Sequence, residues 1–379
     1  MAVSEASIAT ERVRHDAGRR WLPTRNWAPG HIVRTAIRHL VEGRAAWHRA
    51  TLRLPGFDPR IDGSCVYFLA PDHANPAGGI QVLYRHVDIL NAQGIRAMVL
   101  HQRPGFRCTW FENHTRIAVA SRTRLGPHDL LVVPEIYVDL LARAPSEMRY
   151  VIFNQNSHNT WLRSEGRRGA DRRAPEAVIT VSEHNSQMLR YAFPGLAVER
   201  VHLGINSDLF HCNEADRPRR IAYMPRRAGT DANQVISMLR NRNALEGWEL
   251  VALDGLSHEQ VAAQLRCSRL FLAFTYQEGF GLPAAEAMAA GNYVVGYPGF
   301  AGAEFFRPEF SAPIPVGDVT AFAQAVEAAL RQEREEPDWC QAKGRAASRH
   351  ILSTYSREKE IAEVATLYRK YLGIAGEAS

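Results

Sequence analysis

The stretch 276–291 constrains the fold of this chain more than any other. An apolar run, 270–274, leads into it and predicts a β-strand, while an alanine-rich run that begins at Pro283 predicts a short helix. Gly291 is the predicted left-handed residue just past the end of this helix. Gly279 and Gly281 lie between the two, where a residue without a Cβ lets backbone N–H groups approach a ligand closely. A strand, a glycine loop and a helix in this order are typical of α/β proteins, and the positive end of the helix can hold a diphosphate.

Two carboxylates flank these glycines. We expect Glu278 in the loop and Glu286 in the first turn of the helix. A carboxylate accepts hydrogen bonds from two neighbouring hydroxyls, which a sugar or a ribose ring offers. An anion site between two such acceptors therefore describes a nucleotide-sugar. The alternative is that Glu286 only complements the helix dipole and that the glycines only turn the chain, but this leaves Glu278 unexplained.

The same glycines also match a dinucleotide-binding pattern, Gly-x-Gly-x-x-Ala, from Gly279 to Ala284. That pattern requires an acidic residue about 20 positions further on, at the end of the next strand. The next predicted strand, 293–297, is followed by a Pro-Gly pair and carries no acid at its end. The sequence therefore disfavours NAD(P) binding.

The sequence Glu-Gly-Phe-Gly-Leu-Pro-x-x-Glu-Ala-Met-Ala-x-Gly at 278–291 resembles the donor-site signature of retaining glycosyltransferases of family 4, the glycosyl transferases group 1 type. The resemblance implies the GT-B fold, an α/β architecture of two facing Rossmann-like domains with parallel sheets. It implies that Glu278 holds hydroxyls of the transferred sugar, that Glu286 holds the ribose, and that no cofactor is needed. The donor-binding residues that it implies in the loop are Gly279, Phe280, Gly281 and Leu282.

Composition agrees with a globular enzyme. The chain has 379 residues, enough for two or three domains, with 46% hydrophobic and 23% charged residues. Its five cysteines are scattered without a Cys-x-x-Cys pair, which argues for a reducing compartment and against a zinc site or a disulfide framework. No run of about 18 apolar residues occurs, and the N-terminus lacks a signal pattern. We therefore expect a cytoplasmic protein.

Residues 1–60 form a predicted basic amphipathic extension. They contain eleven arginines against five acids, and Trp21, Trp27 and Trp47 lie among them. Apolar residues between 31 and 49 recur at helical spacing. Two interpretations stay open: a helix packed on its own domain with a solvated basic face, or a helix lying peripherally on the anionic inner face of a membrane. Nucleic acid is not an expected partner, because no motif for it is present.

From residue 61 onward, predicted strands and helices alternate, which indicates a Rossmann-like domain over 61–208. A Gly-Gly turn follows its first strand, and the resemblance implies that Gly79 approaches the donor phosphates. A later strand, 150–153, leads into Asn-Gln-Asn-Ser-His. The family often carries an amide or a histidine here that touches the acceptor or the sugar, so Asn156 and His158 are the candidates. The alternative is a polar loop that only caps the next helix. Ser182 is the predicted N-cap of a helix that follows a later strand, and Ser257 with Gln260 predicts a capping box at a helix start in the second half of the chain.

The resemblance divides the remainder into a nucleotide-sugar donor domain, 209–348, and a C-terminal helix, 349–379, that crosses back to the first domain. In the family an arginine and a lysine neutralise the leaving diphosphate after the first strand of the donor domain. Arg226 and Arg227 are the only basic residues at that strand end, and guanidinium groups suit phosphate oxygens. A solvent-exposed basic pair is the alternative. A second glycine loop makes Glu304 a further candidate donor contact.

Together these residues predict a metal-independent retaining hexosyltransferase. Its expected donor is a nucleotide-diphosphate sugar and its expected acceptor a saccharide or glycolipid, as in surface-polysaccharide assembly. A metal-dependent enzyme would usually carry Asp-x-Asp at a strand end, and the sequence contains no such triplet. Two alternatives stay open: a nucleotide-sugar epimerase or phosphorylase of the same fold, and a non-catalytic membrane-associated scaffold with a relic site.

Overall fold

The computed structural model describes residues 51–74, 76–160, 174–213, 216–225 and 229–374. Residues 53–379 form one compact unit. The predicted amphipathic extension lies almost wholly outside the described residues, and so do Arg226 and Arg227. Within the described ranges, no helix is both long and apolar enough to cross a membrane.

Parallel strands form the framework of this unit. The strands, in chain order, are β1 (Gly56–Phe57), β2 (Val66–Leu69), β3 (Ala97–His101), β4 (Ile117–Val119), β5 (Arg124–Leu125), β6 (Leu130–Pro134), β7 (Tyr150–Asn154), β8 (Val178–Thr180), β9 (Val198–Arg200), β10 (Arg220–Tyr223), β11 (Glu249–Ala252), β12 (Leu270–Glu278), β13 (Tyr293–Phe300) and β14 (Ser311–Pro313). One sheet has the order β4-β3-β2-β6-β7-β8-β9, and a second has the order β11-β10-β12-β13-β14. β1 and β5 pair separately, and the strand pairs throughout are parallel.

Helices alternate with these strands. They are α1 (Gly78–Ala92), α2 (Glu183–Ala192), α3 (Gly229–Asn241), α4 (His258–Arg266), α5 (Leu282–Ala289), α6 (Val319–Glu335), α7 (Trp339–Thr354) and α8 (Arg357–Leu372). Short 3₁₀ segments cover Ala120–Arg122, Glu135–Arg143, Ser157–Thr160 and Ala301–Glu304. Two parallel sheets with helical crossovers confirm the predicted α/β class with two Rossmann-like halves.

The central strands are apolar along most of their length because helices cover both faces of a parallel sheet. All five residues of β6 are buried, and so are the first six residues of β12. Two of the helices that follow strands begin at residues predicted as caps. Ser182 accepts a hydrogen bond from the Asn185 N–H at the start of α2, and Ser257 forms a capping box with Gln260 at the start of α4.

The last helix, α8, lies against α1, a helix that packs on the first sheet. The buried Glu360 carboxylate accepts a hydrogen bond from Arg85 Nη2 at 2.8 Å, and Glu363 accepts one from the His202 N–H at 2.7 Å. Burial opposes ionisation of Glu360, but the charge of Arg85 and the contact with His86 outweigh it and hold its pKa below the ordinary value. The domain bounds at 208 and 348 stay predictions.

The helix that carries Glu286, α5, is supported by α7. Ser348 Oγ donates to the Ala289 carbonyl at 2.6 Å. Just beyond α5, Gly291 has a φ of +83°, the left-handed conformation predicted for the residue after the helix. Gly344 of α7 packs so closely on the Gly291 carbonyl that a Cβ at position 344 would overlap it. The position of α5 therefore depends on a glycine in another helix.

We expect Gly344→Ala to lower the free energy of unfolding by about 1–3 kcal/mol, because the added methyl group separates α7 from the end of α5. Chemical denaturation monitored by circular dichroism measures this change. Gly229→Ala is the matched control, since a Cβ there meets nothing within 4 Å and should change stability by about 0.5 kcal/mol or less. Equal stability of the two variants would contradict the proposed close contact.

Candidate active site

One cleft of about 830 Å³ lies between the two sheets, lined by residues that follow strands of each. In open α/β sheets, ligands bind in the crevice beyond the carboxyl ends of the strands. Several predicted site residues line the cleft: Gly79, Asn156, Glu278, Gly279, Phe280, Gly281, Leu282 and Glu286. The structure therefore brings both acidic residues of the signature into one cavity.

Glu278 is the last residue of β12, whereas the sequence led us to expect it in the loop that follows. A register shift between Thr275 and Glu278 extends the strand. Gln277 takes a φ of +47° within this bulge, and Glu278 then pairs with Phe300 of β13. Backbone pairing therefore fixes the main chain that carries this carboxylate.

The helix that follows begins at Leu282, one residue before the predicted start, so Glu286 lies in the second turn and not in the first. Pro283 is tolerated as the second helical residue because the first four N–H groups of a helix have no intrahelical partner. Gly281 precedes the helix with a φ of +96°, which favours glycine, and it has no side chain to cap the first turn. The helix start therefore leaves backbone donors for an anion.

A second helix start lies close to the first. α1 begins at Gly78, and a Cβ there would lie 3.2 Å from the Leu282 Cδ1 of α5. The predicted Gly-Gly turn is the start of α1 itself, and Gln155 Nε2 donates to the Gly79 carbonyl there at 2.9 Å. Neither helix has an acidic residue in its first turn. Two positive helix ends therefore meet at this cleft, an arrangement that suits a diphosphate.

Glu286 has a partner that sequence reasoning missed. Nε2 of His258, the first residue of α4, lies 3.0 Å from Glu286 Oε1, and the His258 ring packs against Phe210 at 5.0 Å. Burial disfavours a charged His258, but the hydrogen bond and the charge of Glu286 outweigh it and raise its pKa above 6.5. The capping box predicted the start of α4, but no local signal connects position 258 with position 286.

The two sheets are joined beside Glu278 by a contact between backbones. A Cβ at Gly279 would overlap the Gln155 carbonyl. The buried Asn185 amide donates to the carbonyls of both Gln155 and Gly279 at 3.2 Å each. Asn156 Nδ2 donates to the Gln277 carbonyl at 2.7 Å, so this predicted acceptor residue also joins the two sheets.

A further carboxyl group, Glu135, lines the cleft from the first sheet. Its oxygens accept hydrogen bonds from the Gln155 N–H and from Asn159 Nδ2, both at 3.2 Å. Burial raises the pKa of Glu135 above its ordinary value, and these hydrogen bonds only partly offset it. Perturbed carboxyl groups cluster at functional sites, so Glu135 is an additional candidate on the acceptor side.

Two other predicted residues do not line this cleft. The His158 ring stacks on the His184 ring, with centroids 5.4 Å apart, and its centroid also lies 5.4 Å from that of Phe300. The Glu304 carboxylate accepts hydrogen bonds from three groups that hold the second glycine loop: the Glu183 N–H at 3.0 Å, Arg200 Nη2 at 2.7 Å and the Tyr355 hydroxyl at 2.8 Å. The roles of both in ligand binding stay predictions.

The predicted phosphate-binding pair, Arg226 and Arg227, lies outside the described residues, although Met224, two residues earlier, lines the cleft. Among the residues that are described, no group of three or more histidine, cysteine, aspartate or glutamate side chains could hold a metal ion.

Comparison with known proteins identifies a family model that matches part of the chain and a relative that matches about two thirds of it. Residues 239–347 match the family model described as glycosyl transferases group 1. A relative named alpha-1,6-glucosyltransferase, from Actinobacillus pleuropneumoniae serotype 7 (strain AP76), is 24% identical over 262 residues, which cover 66% of this chain and 78% of the relative.

Two solved structures resemble this chain in fold over most of its length. Sucrose-phosphate synthase from Thermosynechococcus elongatus superposes with a TM-score of 0.61 at 15% identity, over 83% of this chain and 100% of that one. Anabaena Alr3699/HepE, in complex with UDP and glucose, superposes with a TM-score of 0.60 at 13% identity, over 82% and 100%. The predicted GT-B fold is confirmed.

The His258–Glu286 pair should make stability depend on pH. Because the folded state raises the pKa of His258, its contribution is complete below the unfolded value of 6.5 and is lost as the pH rises through the raised value. The difference in free energy of unfolding between the wild type and His258→Gln should therefore be largest near about pH 6, where we expect roughly 1.5 kcal/mol, and shrink towards about pH 9. The difference in melting temperature should follow the same trend.

Differential scanning fluorimetry across this range measures the effect. His114→Gln is the control, since the His114 side chain is 93% exposed and should give no such trend. A difference for His258→Gln that stays constant or grows with pH would count against the pair.

Proposed function

We propose that this chain, a group 1 glycosyltransferase of the GT-B fold, moves a hexosyl residue from a nucleotide-diphosphate sugar to a hydroxyl of a saccharide or glycolipid. We further propose that transfer retains the anomeric configuration and needs no metal. The observation that carries the proposal is that Glu278, Glu286 and the start of α5 line one cleft between the two sheets.

The proposed roles follow from the chemistry of the donor. A nucleotide-sugar offers two sets of neighbouring hydroxyls, on the sugar and on the ribose, with a diphosphate between them. Glu278 and Glu286 are acceptors for these hydroxyl pairs, and eight positions separate them along a strand, a loop and a helix. The start of α5 lies between them and supplies backbone donors to the diphosphate.

Negative charge develops on the leaving diphosphate as the glycosidic bond breaks. Preorganised positive groups at that point usually supply the largest share of catalysis. The starts of α1 and α5 are two such groups, and we propose that Arg226 and Arg227, which follow β10 in the sequence, add two guanidinium charges. This arrangement supports the proposal that the reaction needs no metal, and so does the lack of an Asp-x-Asp triplet in the sequence.

On the acceptor side we propose Asn156 and His158, with Glu135 as a third group. Asn156 and Glu135 line the cleft, and Gln155 connects Glu135 with the Gly-Gly turn. UDP-glucose is the first donor to test, because HepE was solved with UDP and glucose and the relative is named a glucosyltransferase. Surface-polysaccharide assembly at the inner face of a membrane is the proposed setting.

Glu278→Gln should lower the rate of transfer by about a hundredfold or more, because the neutral amide removes the charge that holds the sugar hydroxyls while keeping the shape of the side chain. The assay measures UDP release and glycosylated product from UDP-glucose in paired reactions, one with EDTA and one with added Mg²⁺. Glu246→Gln, at an exposed position outside the cleft, is the control.

Products distinguish the competing functions. An epimerase releases an altered nucleotide-sugar, a phosphorylase releases a sugar phosphate, and a relic scaffold releases nothing. Transfer at the wild-type rate by Glu278→Gln, or a requirement for metal, would refute the corresponding part of the proposal.

The stereochemistry of the product tests retention. We expect an α-linked product from an α-linked donor, because in the proposed mechanism the leaving phosphate takes the proton of the incoming hydroxyl on the same face of the sugar. Proton NMR of the new anomeric signal, recorded before any rearrangement of the product, measures the configuration. A β-linked product would contradict retention.

A further inference from the structure

An aromatic cluster lies beside the cleft, and two of its rings, those of Tyr276 and Phe300, have no role in the proposed reaction. Tyr276 and Phe300 are 51% and 43% exposed, and their ring centroids lie 6.4 Å apart. His158 and His184 support Phe300 from the first sheet, with ring centroids at 5.4 and 5.6 Å. We call these four residues the aromatic platform. Single exposed apolar residues are ordinary, whereas neighbouring exposed rings form a continuous apolar surface that a ligand can cover.

The backbone holds the platform in an unfavourable conformation. Phe300 has a φ of +69°, and Gln277, next to Tyr276, has a φ of +47°. Positive φ values cost residues with a Cβ about 1 kcal/mol or more and persist where the surrounding structure enforces them, often at functional sites. Two of the four non-glycine residues with positive φ in the described ranges therefore lie at this one cluster.

The platform adjoins the proposed sugar site. Phe300 is the strand partner of Glu278, and Asn156, which lines the cleft, donates to the Gln277 carbonyl. Tyr276 immediately precedes Gln277, while His158 follows Asn156 by two positions. A ligand that extends out of the cleft past Glu278 and Asn156 therefore reaches the platform.

The chemistry of the platform suits a neutral sugar. The C–H groups on one face of a pyranose form an apolar surface that packs on aromatic rings, while its hydroxyls remain in water. Burial lowers the pKa of both His158 and His184, so their rings are neutral near pH 7 and do not attract an anion. The carboxylate near His184, that of Glu304, further disfavours a phosphate or an acidic sugar.

We propose that Tyr276 and Phe300 bind, by stacking, a neutral pyranose of an extended saccharide acceptor, namely a unit beyond the one that receives the transferred sugar. This inference rests on the proposed function for its assignment to the acceptor, although the binding itself can be tested without any donor. It predicts that the protein binds oligosaccharides more tightly than monosaccharides.

Calorimetric titration of the full chain tests the inference. The probes are neutral trisaccharides of glucose, galactose, mannose or N-acetylglucosamine, each compared with its methyl monosaccharide. For the trisaccharide that binds best, Tyr276→Ala and Phe300→Leu should each raise Kd by about tenfold, because a stacking surface is lost. Tyr276→Phe should restore binding, since it keeps the ring.

Tyr191→Ala is the matched control, because Tyr191 is 88% exposed but lies outside the platform. UDP titration of the same variants should give the wild-type Kd, which also shows that they fold. Wild-type protein that binds none of the trisaccharides would overturn the inference, and so would unchanged binding by Tyr276→Ala. Failure of Tyr276→Phe to restore binding would do so as well, because the hydroxyl and not the ring would then be the contact.

Two further outcomes separate the alternatives. A change in sedimentation between the wild type and Tyr276→Ala would assign the platform to contact between two copies of the chain and overturn the saccharide assignment. Absence of binding to UDP and UDP-glucose by the wild type would refute the proposed function, while the trisaccharide titrations would still decide whether the platform binds sugar.

Discussion

Gly279 lies so close to the Gln155 carbonyl that no side chain fits between them, and this contact between backbones determines where the two sheets meet. The buried Asn185 amide donates to the carbonyls of both Gln155 and Gly279. These bonds matter because backbone carbonyls that are removed from water need hydrogen-bond donors. Because Gly279 directly follows Glu278, the contact also fixes the distance of that residue from the first sheet. The glycine expected to bring N–H groups to an anion therefore also permits the sheets to approach each other.

The two acidic residues of the signature are held by different forces. A strand bulge and the pairing with Phe300 fix the backbone at Glu278, whereas the charge and hydrogen bond of His258 orient the Glu286 side chain. Backbone pairing does not titrate between pH 5 and 9, but a histidine–carboxylate pair does. If the two residues bind sugar and ribose as proposed, pH should affect the ribose side of the donor more than the sugar side.

The sequence predicted the features that depend on local patterns. Apolar runs and caps such as Ser182 and Ser257 identified strands and helix starts, and the signature identified both carboxylates. It did not predict His258, Asn185 or the bulge at Gln277. Each of these depends on loops of different strands meeting in the folded chain, and hydrophobic periodicity carries no information about which loops meet. Local boundaries were also displaced, as at Glu286, because the helix starts before its proline.

Phe300 begins a short segment that ends at Glu304, the predicted donor contact. Glu304 accepts hydrogen bonds from the Glu183 N–H, from Arg200 and from Tyr355, so three groups outside the loop hold its carboxylate. The segment from Phe300 to Glu304 is therefore anchored at both ends, by the pairing of Phe300 with Glu278 and by the partners of Glu304. A positive φ at a residue with a Cβ persists where the surrounding structure enforces it, and two anchors so close in sequence are such a constraint on Phe300.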